Sequence, residues 1–236
     1  MEFHFMNSGL PVDAVFPDED VEKIYLPLLR RLQALREQKG SRILVMLAAP
    51  PGAGKSTLAA FLQKLSEDLL PDPLTVIGMD GFHRYQEYLL SHFTERSGET
   101  IPLVKIKGAP ETFDLGKLTE RVRRVARGDR CGWPAYDRRL HNPVEDALTV
   151  DGEIVLLEGN YLLLDLPGWR DLEKYADLTI FLRAEKALLR ERLVKRQQES
   201  GKSPEDARAF VENSDLVNAR LVLSKALKAD IELCSE

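Results

Sequence analysis

The sequence predicts an α/β fold with a five-stranded, mostly parallel sheet and helices on both of its faces. Two observations carry this prediction. Short runs of Ile, Leu and Val alternate along the chain with segments of helical periodicity, which is the pattern of βαβ units. One strand–helix junction also holds Ala49-Pro50-Pro51-Gly52-Ala53-Gly54-Lys55-Ser56-Thr57, with the Gly-Lys-Ser end of a phosphate-binding loop. The chain has 236 residues, of which 44% are hydrophobic and 30% charged. That suits one domain with elaborations and is too apolar for a mainly disordered chain.

The elements follow in order. Residues 1–40 read as a helical extension. Its amphipathic part is Asp18 to Lys39, where Val21, Ile24, Leu28, Leu32 and Leu35 recur at helical spacing and Gly40 ends the run. Arg42 to Ala48 is a buried strand, Leu58 to Leu70 a helix stopped by Pro71 and Pro73, and Leu74 to Gly78 a second strand. From Asp80 to Asp114 the regular pattern fades, and connections this long are often functional. Leu115 to Ala126 is a basic amphipathic helix closed by Gly128, followed by a stiff, aromatic-bearing loop from Trp133 to Pro143. Glu153 to Leu157 and Leu178 to Leu182 are the third and fourth strands, with a short fifth at Ile231 to Leu233. Ala184 to Glu199 is a cationic helix. Ser203 caps the next helix, with Pro204 at its first position, and a last helix covers Leu216 to Leu227.

Composition narrows the function classes. A net charge of −5 argues against general nucleic-acid binding. No window approaches the roughly 18 apolar residues of a membrane span, and the first eleven residues lack the basic start and apolar core of a signal peptide. Two cysteines, Cys131 and Cys234, cannot build a disulfide framework and fit a reducing compartment. A cytoplasmic protein acting on a small molecule is expected, and self-association as a homodimer is left open.

The loop itself is the sharpest motif. Gly52 and Gly54 let the backbone approach phosphate, while Pro51, Ala53 and Thr57 complete the turn around it. The helix that starts near Lys55 offers unpaired N–H groups and the positive end of its dipole. Lys55 can reach the β- and γ-phosphates of ATP, and the Ser56 hydroxyl can serve Mg²⁺. Ala49 stands where the pattern usually has its first glycine, and it is small enough to fit.

Two carboxylates follow at strand ends. Ile154-Val155-Leu156-Leu157-Glu158-Gly159 delivers Glu158 where Mg²⁺ beside phosphates needs oxygen ligands. The plainer alternative is an ordinary surface glutamate. Val76-Ile77-Gly78-Met79-Asp80-Gly81 places Asp80 where it can take a proton from a substrate hydroxyl. The plainer alternative there is an Asp-Gly turn. His83 and Arg84 lie next to it. Arg84 suits an anionic or hydroxyl-rich substrate and equally a solvated loop.

With these elements in place the chain resembles the phosphoribulokinase/uridine kinase group of P-loop kinases, which includes type I pantothenate kinase. Met79-Asp80-Gly81-Phe82 resembles the segment with that group's catalytic Asp, and Lys107-Gly108-Ala109-Pro110-Glu111-Thr112-Phe113-Asp114 its Gly-x-Pro-x-x-(Phe/Tyr)-Asp box. Pro134-Ala135-Tyr136-Asp137, then His141, resembles its Pro-x-Tyr-Asp-x-x-x-His segment. Bacterial nucleoside/nucleotide kinase family proteins, some assigned to fructose transport, are especially similar. The resemblance implies a P-loop nucleoside triphosphate hydrolase fold with strand order 2-3-1-4-5. It also implies that residues 80–148 form a substrate-side insert in which His83, Arg84, Tyr136 and His141 meet the acceptor. Read on their own, Tyr136 also fits simple packing and His141 a surface loop.

Arg192-Leu193-Val194-Lys195-Arg196 resembles the Arg-Leu-x-x-Arg lid of small-molecule kinases, within a lid of residues 184–204. Arg192 and Arg196 can stabilise charge on the transferring group, although the same helix can simply pair its own glutamates. The combined expectation is a kinase that uses ATP and Mg²⁺ to phosphorylate a hydroxyl of a nucleoside, a pantothenate-like molecule or a sugar. The alternative is a regulatory nucleotide-binding module or NTPase switch with no acceptor.

Overall fold

A computed structural model describes residues 1–7, 10–96 and 98–235 of the chain. Its centre is a five-stranded sheet of β3 (Ile43–Ala48), β4 (Leu74–Gly78), β9 (Ile154–Gly159), β10 (Leu178–Ala184) and β11 (Ile231–Ser235). The spatial order is β11-β10-β3-β9-β4 and every neighbouring pair is parallel. Counted along the chain within this sheet, that is 2-3-1-4-5, the order the resemblance implies.

The strands read as unbroken apolar runs because both faces are covered. In β3, Leu44, Met46 and Ala48 enter one core, and Ile43, Val45 and Leu47 enter the other. The second core is closed by helix α1 (residues 18–39) through Leu28, Leu29 and Leu32, and by α2 (Lys55–Glu67) through Leu58, Ala59 and Leu62. The first core is closed by α4 (Leu115–Ala126) through Leu118, Val122 and Val125. The Asp114 side chain caps α4 by accepting from the Lys117 N–H. Helices α5 (Lys186–Glu199) and α6 (residues 204–225) complete the layer beyond β10, and Ser203 caps α6 as its sequence predicts.

Three regions differ from the sequence expectation. The first 15 residues do not extend the helix: β1 (Glu2–Asn7) and β2 (Leu10–Val15) form an antiparallel hairpin. Its Phe3 meets Phe61 of α2 edge-on at 5.5 Å, and Phe16, just past the hairpin, stacks on the same ring at 3.8 Å. The stretch after Asp80 holds the short helix α3 (Gln86–Ser91) and a hairpin of β5 (Phe93–Arg96) and β6 (Glu99–Pro102). The expected loop from Trp133 to Pro143 is instead part of a hairpin of β7 (Cys131–Asp137) and β8 (Asn142–Val150). Proline cannot donate to a ladder. Pro134 is accommodated because the register shifts between Trp133 and Ala135.

Candidate active site

The loop after β3 turns on two left-handed glycines, Gly52 at φ 86° and Gly54 at φ 90°. At Gly52 the freedom is steric as well as conformational. A Cβ there would lie 2.9 Å from Cγ of Leu193, because α5 packs directly on the loop. Leu189 and Leu193 of that helix are fully buried. Gly54 is the N-cap of α2, so the first N–H groups of that helix face the loop without intrahelical partners. Ala49, Pro50, Pro51 and Ala53 are buried, which fixes the loop from behind.

The parallel register brings the two carboxylates beside this loop. Glu158 pairs with Leu47 of β3 on one side and Gly78 of β4 on the other. It therefore lies next to the loop and two residues from Asp80. The Ser56 hydroxyl donates to Glu158 Oε1 at 2.9 Å, and Lys55 Nζ lies 3.8 Å from Oε2. Burial pushes the Glu158 carboxyl above its usual range against the pull of Lys55. Asp80 goes the other way. Burial opposes its charge, but His83, Lys55, Arg138 and Arg196 together outweigh it and hold the carboxyl below its usual range. Two adjacent carboxylates driven apart in this way are suited to different tasks.

The turn carrying Asp80 (Met79–Phe82, a 3₁₀ turn) is clamped from three sides. The Trp133 indole N–H donates to the Gly78 carbonyl at 2.8 Å. A Cβ on Gly81 would fall 2.0 Å from the Pro134 carbonyl oxygen, and one on Gly159 would fall 2.6 Å from Cβ of Met79. The Asp-Gly dipeptide is thus a turn and also a close approach of two backbones.

His83 Nδ1–H donates to the Asp80 carbonyl at 2.8 Å. Its ring lies 4.0 Å from that of Phe113 and 5.0 Å from that of Tyr136. Burial lowers its pKa, against the opposing pull of the Asp80 charge. Tyr136 is half-buried, and burial followed by Asp80 raises its phenol. Arg84 turns away toward Asp114, with Nη1 3.2 Å from Oδ2, and stacks over Tyr88. His141 sits in the β7–β8 turn at φ 51° with an exposed side chain, and its contribution inward is a carbonyl that accepts from Lys107 at 3.0 Å. Of the four expected acceptor residues, His83 and Tyr136 are brought together, while the Arg84 and His141 side chains lie to the side.

The two lid arginines are placed differently. Arg192 Nη1 donates to Ser235 Oγ at 2.7 Å and to the Ala53 carbonyl at 3.4 Å, against the loop. Arg196 lies 3.6 Å from buried Asp215, which Gln197 also holds at 3.0 Å, and its charge reaches Asp80. Two further cations escaped the sequence reading. Lys107 opens one quoted motif and Arg138 follows another directly, yet nothing in their spacing signals that the fold carries Lys107 over the Tyr136 ring and brings both charges to bear on His83. A groove of about 1060 Å³ between α5 and α6 lies apart from the Lys55, Asp80 and Glu158 convergence.

The donor set fits a magnesium nucleotide. Ser56 and Glu158 offer hard oxygens. Among the described residues no group of three or more His, Cys, Asp or Glu could hold a metal unaided. Mg²⁺ bound with a nucleotide needs only one or two protein oxygens, since phosphates and water fill its shell.

This geometry is that of a P-loop kinase, and the comparisons with known proteins give the family. Residues 44–216 match the model of the phosphoribulokinase/uridine kinase family, and the chain belongs to it. Among relatives, the uncharacterized protein YggC of Escherichia coli strain K12 is 41% identical over 98% of this chain and 94% of its own. A Schizosaccharomyces pombe protein provisionally designated a uridine kinase is 33% identical over 86% of this chain and 87% of its own. The crystal structure of a provisionally designated fructose transport system kinase from Silicibacter sp. TM1040 superposes with a TM-score of 0.73 at 35% identity, covering 85% of this chain and 98% of that one.

Proposed function

We propose that this chain transfers the γ-phosphoryl group of ATP to a hydroxyl of a small metabolite, with Mg²⁺. The observation that carries the reading is the convergence of Lys55, Ser56, Glu158 and Asp80 at adjacent strand ends. The loop N–H groups and Lys55 hold the β- and γ-phosphates, and Arg192 and Arg196 add positive charge over them. Ser56 and Glu158 hold Mg²⁺, which neutralises charge developing on the phosphate oxygens. Asp80, ionised at neutral pH, accepts the proton of the acceptor hydroxyl as its oxygen bonds to the γ-phosphorus. The bond to the β–γ bridging oxygen breaks, and ADP leaves with that electron pair. His83 and Tyr136 wall the acceptor. The test is ATP turnover with a metabolite panel by the wild type and Lys55→Ala. The variant is expected to lose about 10²–10³-fold in rate, the worth of one preorganised charge contact, with an unchanged fold. Equal rates would remove the loop from the chemistry.

A further inference from the structure

The cations around Asp80 divide into two groups. Lys55 faces Glu158 and Arg196 faces Asp215, so each has a carboxylate partner. Arg84 is neutralised by Asp114. Lys107 and Arg138 have no ion pair among the described residues. The Lys107 ammonium is satisfied only by neutral oxygens, Gln86 Oε1 at 2.7 Å and the His141 carbonyl at 3.0 Å, and it lies 5.3 Å from the centre of the Tyr136 ring. Arg138 is exposed and follows Tyr136 by two residues at the end of β7. Tyr136 in turn packs on His83, whose Nδ1 rests on the Asp80 carbonyl. Two positive charges with no ion pair among the described residues therefore act on the aromatic wall beside the proposed base, Lys107 over the Tyr136 ring and Arg138 through its charge on Tyr136 and Asp80.

Resting on the kinase reading above, we infer that the acceptor carries an anionic group, a carboxylate or a phosphate, held by Lys107 and Arg138 while its hydroxyl faces Asp80. The chemistry favours such a ligand. A guanidinium offers a planar fork and an ammonium a point charge, and the two together suit an oxyanion. Burial lowers the Lys107 pKa, so its charge is costly until an anion arrives. The two cations also offset the repulsion a bound anion would exert on ionised Asp80. A neutral nucleoside or free sugar would leave both charges uncompensated beside it.

The test uses protein loaded with Mg²⁺ and the non-hydrolysable analogue AMPPNP, so that the nucleotide loop is filled. It is titrated with inorganic phosphate and separately with glycolate, and the His83 ring resonances are followed by NMR. A saturable shift is expected. Tighter binding of phosphate assigns a phosphorylated acceptor, and tighter binding of glycolate a hydroxy acid. Arg138→Met removes an exposed side chain and should weaken the anion about tenfold or more, the worth of a charge-assisted hydrogen bond, with AMPPNP affinity unchanged. Lys107→Arg should retain binding where Lys107→Met loses it. No saturable response, or the same response in Arg138→Met, overturns the inference. The Arg138→Met comparison repeated on a Lys55→Ala background without nucleotide counts only the Arg138-dependent part of the response, so failure of the anion site and failure of the kinase reading give different results.

Discussion

At the scale of single residues, His83 joins stability to site geometry. Its folded-state pKa lies below the ordinary histidine value, with burial the main cause and the Asp80 charge opposing it. Below the unfolded pKa of about 6.5 the unfolded chain binds a proton that the folded chain refuses. Stability therefore rises with pH through that window and falls as pH drops from about 7 toward the folded pKa. Urea unfolding at pH 7.5 and 5.5 should show this loss in the wild type and a smaller one in His83→Gln. Identical losses would place the pH dependence elsewhere. Residues such as Lys55, Ser56, Asp80 and Glu158 were legible in the sequence because each stands at a strand end or helix start, where backbone pattern announces position. Lys107 and Arg138 were not, because their significance lies in the partners they lack, and a sequence does not display partners.

At the scale of elements, the buried strands were readable because a parallel strand covered on both faces is a short apolar run, and the chain has few others. The three antiparallel hairpins were not. β7 and β8 contain Pro134 and Pro143, which argue against a regular ladder, and the register shift that admits Pro134 is a tertiary adjustment. That hairpin is what positions the proposed base. Pro134 presses its carbonyl into the space a Gly81 side chain would need. Gly81→Ala should accordingly destabilise the protein by about 1–3 kcal/mol, the usual cost of overpacking, and lower turnover more than it lowers nucleotide affinity. Chemical denaturation with parallel nucleotide titration measures both, and a fully stable, fully active variant would refute the close approach.

At the scale of the whole molecule, the proposed nucleotide and acceptor sites lie together at the carboxyl ends of the sheet strands, while the N-terminal hairpin packs on α2. Phe61 is 2% exposed beneath Phe3 and Phe16. Phe61→Ala should cost about 3–5 kcal/mol of stability while leaving kcat unchanged at temperatures where the variant stays folded, as paired melts and rate measurements would show. A kcat loss without a stability loss would mean that the hairpin acts on the site. The central claim is that the chain moves a phosphoryl group to a hydroxyl and does not merely hold a nucleotide. The most direct measurement compares wild type and Asp80→Asn in transfer rate to an identified acceptor and in Mg²⁺–ATP affinity. Asn keeps the shape of the turn, and Lys55, Ser56 and Glu158 remain, so affinity should stay nearly constant. Transfer should slow by about 10²–10⁴-fold, the range of general acid–base catalysis. Transfer at the wild-type rate by Asp80→Asn would contradict the account and favour a nucleotide switch.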